Sequence, residues 1–233
     1  MSSSSSSLEK ALIAVAQKAA KQVRDGEVLG LGSGSTVARF TRALGDRIKE
    51  DNLNVLIVPS SMQAWMLARE NKLKFHPDSA HCPKILDLAV DGADQIATKS
   101  RAMIKGGGGQ LLREKIILSS SRRVFILVDS SKVVRKLSRS VPIEVVQFAL
   151  ESVQEKLERE FNSKPALRKL DKGYPYYTES GNVILDVQFG EVDHPKALEV
   201  SVKELPGVVE VGIFNCKVDR FFIGNQDGSA ETL

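Results

Sequence analysis

Four short stretches carry residue types that chemistry needs, and each follows an apolar run. The first is Gly32-Ser33-Gly34-Ser35-Thr36. Glycines let a backbone turn sharply and approach a ligand closely. If a helix begins at Ser35 or Thr36, its first N–H groups and their partial positive charge suit a phosphate, and the hydroxyls add donors. The second is Asp91-Gly92-Ala93-Asp94, a turn whose two carboxylates can trade protons with the hydroxyls of a bound molecule. The third is Lys105-Gly106-Gly107-Gly108-Gly109, followed by Arg113-Glu114-Lys115. An ammonium group beside exposed backbone N–H groups suits an oxyanion, and Glu114 falls about one turn into the helix that follows. The fourth, Asp129-Ser130-Ser131-Lys132, offers a lysine that can reach a phosphate.

Taken singly, each stretch has a plainer reading. These are a tight turn with a Ser or Thr cap, a turn with Asp capping the next element, a flexible linker, and a surface lysine. The glycine run is no ordinary linker, because it stands directly between a strand end and a helix start. The first motif lacks the Gly-Lys-Ser/Thr of a Walker loop and the full GxGxxG of a dinucleotide fingerprint. An oxidoreductase is disfavoured further by the second strand, which ends Val58-Pro59-Ser60 with no acid to hold a ribose.

The elements that must position these residues follow from the apolar pattern. Leu8–Gln22 reads as an amphipathic helix, with Leu12, Val15, Ala16 and Ala19 on one face. Short apolar runs at Val28–Leu31, Leu53–Val58, Ile85–Val90 and Val124–Val128 read as buried strands, and helical patterns alternate with them. Ser60 or Ser61 can cap the helix that ends near Asn71. Such alternation predicts an α/β, Rossmann-like open sheet, mostly parallel, with helices on both faces. Ligands bind at the carboxyl ends of strands in such sheets, so the four motifs should gather on one edge.

The rhythm then changes. A strand at Pro142–Val146 and a helix at Phe148–Phe161 precede three short strands, Ala166–Leu170, Tyr174–Thr178 and Val183–Phe189. A helix over Ala197–Glu204 and a strand over Val208–Phe214 complete a smaller α+β domain of ferredoxin-like type. Phe221–Gly224 is expected to rejoin the first sheet. The domains are drawn as 8–135 plus 206–233 and 136–205, with a disordered Ser-rich start over 1–7. That serine run is either a leftover tag or the stub of an organelle-targeting extension.

Composition bounds the function. The 233 residues are 42% hydrophobic and 27% charged, so a core can be buried, and the net charge of +4 is spread along the chain. No basic stripe with aromatic interleaving points to nucleic acid, and no apolar run is long enough for a membrane span. Cys82 and Cys216 form no CxxC pair, and His76, His81 and His194 are scattered, so no metal is expected. The expected setting is a reducing one, the cytoplasm or the plastid stroma.

In combination the motifs are specific. GSGST, VDGAD, KGGGG followed by LLREK, and VDSSK, in this order and at these intervals, resemble the ribose-5-phosphate isomerase A family. The resemblance continues through Val141–Val145, Ser180–Asp186 and Leu205–Val209, and so spans nearly the whole chain from Leu8. It implies a cofactor-independent aldose–ketose isomerase that interconverts D-ribose 5-phosphate and D-ribulose 5-phosphate as part of the pentose phosphate pathway. Glu114 would be the catalytic base, with Asp91, Asp94 and Lys105 assisting. Substrate binding would fall to Ser33, Gly34, Ser35, Thr36, Gly92, Ala93, Gly106, Gly107, Gly108 and Lys132. A homodimer or homotetramer is implied as well. Gln95, Gln110, a fourth glycine and Leu12 depart from the family's usual residues. The competing reading is a non-catalytic sugar-phosphate sensor or a diverged paralogue. A sensor would be expected to carry a DNA-binding module, and no such pattern is visible before Leu8.

Overall fold

Parallel strands shielded on both faces are the simplest way to bury runs as apolar as Val28–Leu31 and Leu86–Val90, and the chain builds its larger sheet from them. The computed structural model describes residues 3–233. In chain order the elements begin with α1 (Ser3–Ala20), β1 (Val28–Leu31), α2 (Ser35–Asp51), β2 (Leu56–Pro59), α3 (Met62–Glu70), β3 (Lys74–Phe75) and β4 (Leu86–Gly92). There follow β5 (Gln95–Ala97), β6 (Met103–Ile104), α4 (Leu111–Ser119), β7 (Ser121–Asp129), β8 (Val133–Val134) and β9 (Val141–Val145). The last are α5 (Leu150–Phe161), β10 (Lys164–Leu167), β11 (Val183–Gln188), α6 (Pro195–Lys203), β12 (Val208–Val211), β13 (Ile213–Phe214), β14 (Arg220–Gly224) and β15 (Ala230–Thr232).

The chain divides into two units: Met1–Gly92 with Arg113–Lys132 and Cys216–Leu233, and Ala93–Leu112 with Val133–Asn215. In the first, a seven-stranded sheet runs β15-β14-β7-β4-β1-β2-β3, parallel except for the β14–β15 pair. As expected, the strand near residue 221 rejoins it, beside β7. One face carries Leu29, Leu31, Leu88, Val90, Phe125, Leu127 and Phe222, packed with Val15 and Ala19 of α1, Phe40 and Leu44 of α2, and Ala64 and Ala68 of α3. Side chains alternate across a strand, so Gly30 faces the other way, where Ile117 of α4 packs directly against it. α3 starts as its cap predicts, with Ser61 Oγ accepting from Ala64 N–H at 3.0 Å. α2 closes on Asn52 in the left-handed region, at φ 52°.

The second unit holds a four-stranded antiparallel sheet in the order β10-β11-β9-β12. With α5 between β9 and β10 and α6 between β11 and β12, this is the split βαβ arrangement of the ferredoxin-like fold. Val153, Leu157 and Val202 of the helices bury against Ile143, Leu185 and Val187. A small sheet, β13-β6-β5-β8, belongs to the same unit.

Several local expectations are corrected. The stretch 93–112, placed with the larger domain from sequence, lies in the second unit, as do residues 133–135 and 206–215. Tyr174–Thr178 is not a strand. It makes only two isolated bridges, Lys169 with Pro175 and Tyr177 with Val183, because Pro175 lacks an N–H and Gly173 turns the chain at φ 84°. The single strand expected over Val208–Phe214 is two, broken at Gly212, whose bare Cα lies against the carbonyls of Lys105 and Pro142. Residues 3–7 of the serine run are helical, the Ser7 hydroxyl donating to the Gln226 carbonyl at 2.5 Å, while Met1 and Ser2 lie outside the described residues. Cys82 and Cys216 are half-buried and not joined in a disulfide, and no helix among the described residues is long and apolar enough to cross a membrane.

A methyl group at residue 30 would overlap Ile117 and Leu86. Gly30→Ala is therefore expected to lower unfolding stability by about 1–3 kcal/mol, read from urea denaturation followed by circular dichroism.

Candidate active site

In the first unit the polar residues arise where parallel strands end. β1 and β4 pair through Leu31 and Val90, and the chain leaves β1 at Gly32, whose N–H donates to the Val90 carbonyl at 2.9 Å. The next residue along β4 is Asp91, 2% exposed. Its carboxyl group lies flat against Gly32, in the space where any Cβ would sit, and accepts the Gly92 N–H at 2.7 Å. Glycine at 32 is thus a steric requirement for a carboxylate at 91.

Ser33 then turns toward α4. Its Oγ donates to Glu114 Oε1 at 2.6 Å, across 81 residues of sequence. Glu114 stands in the first turn of α4 and is 4% exposed. Gly34, at φ 92°, caps α2 through its backbone rather than a side chain, so the hydroxyl cap expected at this turn is not used. Its own N–H donates to Gln63 Oε1 at 3.1 Å. Ser35 is exposed at the start of α2, and Thr36 is buried one residue on. Lys132 closes a 3-10 turn after β7, its Nζ 3.9 Å from Asp129 Oδ2.

The remaining predicted residues lie in the second unit. Asp94 Oδ2 accepts the Gly107 N–H at 2.8 Å. A Cβ on Gly107 would come within 2.8 Å of Asp94 Oδ1, so here too a glycine makes room for a carboxylate. Ala93 is buried beside it. Lys105, 3% exposed, carries its Nζ 5.4 Å from the centroid of the Phe214 ring, a cation–π contact, and its N–H donates to Gly212 O at 2.9 Å. Gly106 turns at φ 104° and Gly109 at φ 80°, conformations that side-chain-bearing residues rarely adopt.

Sequence reasoning passed over three residues that hold this loop. Arg168 Nη1 donates to the carbonyls of Gly106 (2.9 Å) and Gly107 (3.0 Å). The same guanidinium grips Asp186 with its other edge, Nε to Oδ2 at 2.7 Å and Nη2 to Oδ1. Tyr176 packs its ring on Gly109 and donates its hydroxyl to the Gly108 carbonyl at 3.1 Å. Burial pushes the Tyr176 phenol above its ordinary pKa, against the pull of the Arg168 charge, so it stays a donor. These residues sit more than fifty positions beyond the glycines, in a segment read as plain strands, and the Arg–Asp pairing carries no short-range signal.

The departures also find places. Gln110 hydrogen-bonds the Tyr176 hydroxyl. Gln95 is buried and satisfies both ends of its amide. Its Oε1 accepts from the N–H groups of Ser138 (2.7 Å) and Arg139 (3.1 Å), while its Nε2 meets Ser138 Oγ at 3.2 Å. Leu12 is core. Among the described residues no group of three or more His, Cys, Asp or Glu is placed to hold a metal.

The family profile described as ribose 5-phosphate isomerase A (phosphoriboisomerase A) matches residues 56–228. Ribose-5-phosphate isomerase A of Methanosarcina acetivorans is 45% identical over 216 residues, 92% of this chain and 90% of that protein. The structure of ribose 5-phosphate isomerase A from Methanocaldococcus jannaschii superposes with a TM-score of 0.89 at 38% identity, over 97% of this chain and 98% of that one. A D-ribose-5-phosphate isomerase in complex with phospho-erythronic acid also gives 0.89, at 36% identity over 97% of both chains. Motif order, sheet topology, and similarity over nearly the full length of these relatives agree, and the chain belongs to the ribose 5-phosphate isomerase A family.

Proposed function

We propose that this chain interconverts D-ribose 5-phosphate and D-ribulose 5-phosphate by proton transfer through an enediol(ate). The observation that carries the reading is the buried Glu114 carboxylate, held by the Ser33 hydroxyl at 2.6 Å in the first turn of a helix that the glycine run leads into. A carboxylate so restrained has one oriented base to offer.

In this scheme Glu114 takes the proton from C2 of the open-chain aldose and returns it to C1. The substrate carbonyl acidifies that C–H bond. Asp91 and Asp94 move protons between the substrate oxygens and assist ring opening. Lys105 and the Gly108 N–H offset the negative charge that grows on oxygen, while Gly106 shapes the loop beside them and Gly107 holds Asp94. Ser35 and Thr36 at the start of α2, together with Ser33, Gly34 and Lys132, take the phosphate, where a helix N-terminus favours an anion. Gly92 and Ala93 contribute backbone and space. The related enzyme bound to phospho-erythronic acid supports an acidic sugar-phosphate-like ligand for this chain as well. An assembly of two or four copies belongs to the same reading and is supported by Phe148, which is 100% exposed beside exposed Val146.

A coupled assay with ribose 5-phosphate in excess EDTA is expected to give full turnover. Glu114→Gln should reduce kcat by about a thousandfold or more while ribose 5-phosphate still binds by calorimetry. Binding with no conversion by the unaltered chain would favour the sensor instead. Ser33→Ala, which removes one hydrogen bond that orients the Glu114 carboxylate, should lower kcat about three- to tenfold. Light scattering should report a mass of at least two chains, and Phe148→Ser should shift it toward one.

A further inference from the structure

Four glycines in a row are the worst choice for a rigid backbone, since each loses more conformational freedom on folding than any other residue. In this chain the run is tied down from outside. Arg168 Nη1 holds the carbonyls of Gly106 and Gly107, Tyr176 holds that of Gly108, and the Gly109 N–H closes a turn onto Gly106 O at 2.9 Å. Arg168 is itself fixed. It and Asp186 are diagonal neighbours on one face of the β10–β11 pair, and the carboxylate takes two edges of the guanidinium in a fork.

The consequence lies on the opposite side of each peptide plane. In a trans peptide the N–H points away from the C=O that shares its plane. Pinning Gly106 O therefore aims the Gly107 N–H away from Arg168, and that N–H donates to Asp94 Oδ2 at 2.8 Å. Pinning Gly107 O aims the Gly108 N–H to the same side as the Asp94 carboxylate. A cationic donor on a carbonyl also polarises the peptide and strengthens its N–H.

We propose that Arg168, aligned by Asp186, is a positioning residue for the isomerase reaction, fixing the glycine-loop peptides so that one N–H holds Asp94 and the next meets a substrate oxygen. The proposal rests on the isomerase reading given above. It assigns Arg168 no contact with substrate, and it separates Arg from Lys, because an ammonium cannot bridge two carbonyls while gripping a carboxylate along two edges.

The test is steady-state kinetics on Arg168→Ala, Arg168→Lys and Asp186→Asn, each checked for native circular dichroism, with Glu114→Gln as reference. Arg168→Ala and Arg168→Lys should lose about ten- to a hundredfold in kcat, with KM for ribose 5-phosphate changed by no more than about twofold. Asp186→Asn should lose less. Added methylguanidinium should restore part of the kcat of Arg168→Ala and none of that of Glu114→Gln. A folded Arg168→Lys with the kcat of the unaltered chain overturns the proposal, and this variant decides the matter if Arg168→Ala does not fold. A rise in KM alone, or a loss of kcat that methylguanidinium leaves untouched, likewise overturns it. Normal turnover by Glu114→Gln would instead sink the underlying isomerase reading, whereas an inert Glu114→Gln beside an unimpaired Arg168→Lys sinks only the role given to Arg168.

Discussion

The site depends on two places along one strand line where there is no side chain. Gly30 and Gly32 are two residues apart and so share one face of β1 and its continuation. At Gly30 the missing Cβ lets Ile117 bring α4 against the sheet, and Glu114 stands about one turn before Ile117 on the same helix. At Gly32 the missing Cβ leaves a flat surface for the Asp91 carboxyl group. One face of one strand thus sets the heights of a helix-borne carboxylate, Glu114, and a strand-borne one, Asp91. The Ser33 hydroxyl, next in line, donates to the Glu114 carboxylate.

Burying such charges is costly unless hydrogen bonds compensate. The chain uses two different solutions. Glu144, 1% exposed, is a structural carboxylate: Thr178 Oγ1 and Asn182 Nδ2 both donate to its Oε1, at 2.8 and 2.9 Å. Asp91 and Asp94 instead take backbone N–H groups from glycine-rich turns, Gly92 for the first and Gly107 for the second. Such donors leave no side chain in the way of a ligand. Glycine therefore serves twice, for close approach and for bare donors, and the entropy this costs is offset by side chains from β11 and from the segment between β10 and β11 that pin the loop.

Much of the architecture was legible because it rests on local pattern. Strand–turn–helix alternation gave the parallel sheet, and the observed β1 coincides with the apolar run Val28–Leu31. The split βαβ order of the second unit followed from helix positions between short strands. Errors arose where tertiary contacts overrule local preference. Tyr174–Thr178 carries aromatic residues that favour a strand, but Pro175 and the turn at Gly173 limit it to isolated bridges, and its Tyr176 serves the glycine loop. Gly212 interrupts an otherwise continuous apolar run because two carbonyls need its space.

The types and order of the reactive groups are properties of the sequence alone: two aspartates on a glycine turn, a lysine at the mouth of a glycine run, and a glutamate one helical turn later. Local chain geometry brings such neighbours together whatever surrounds them. What the tertiary structure decided is which groups hold them. The Ser33–Glu114 bond closes over 81 residues, and the Arg168 bonds to the glycine loop over 62 and 61. Contacts at that separation arise from strand order and register, which no spacing of residues encodes. Arg168, Asp186 and Tyr176 could therefore emerge only once β10 and β11 were paired and the glycine loop lay beside them.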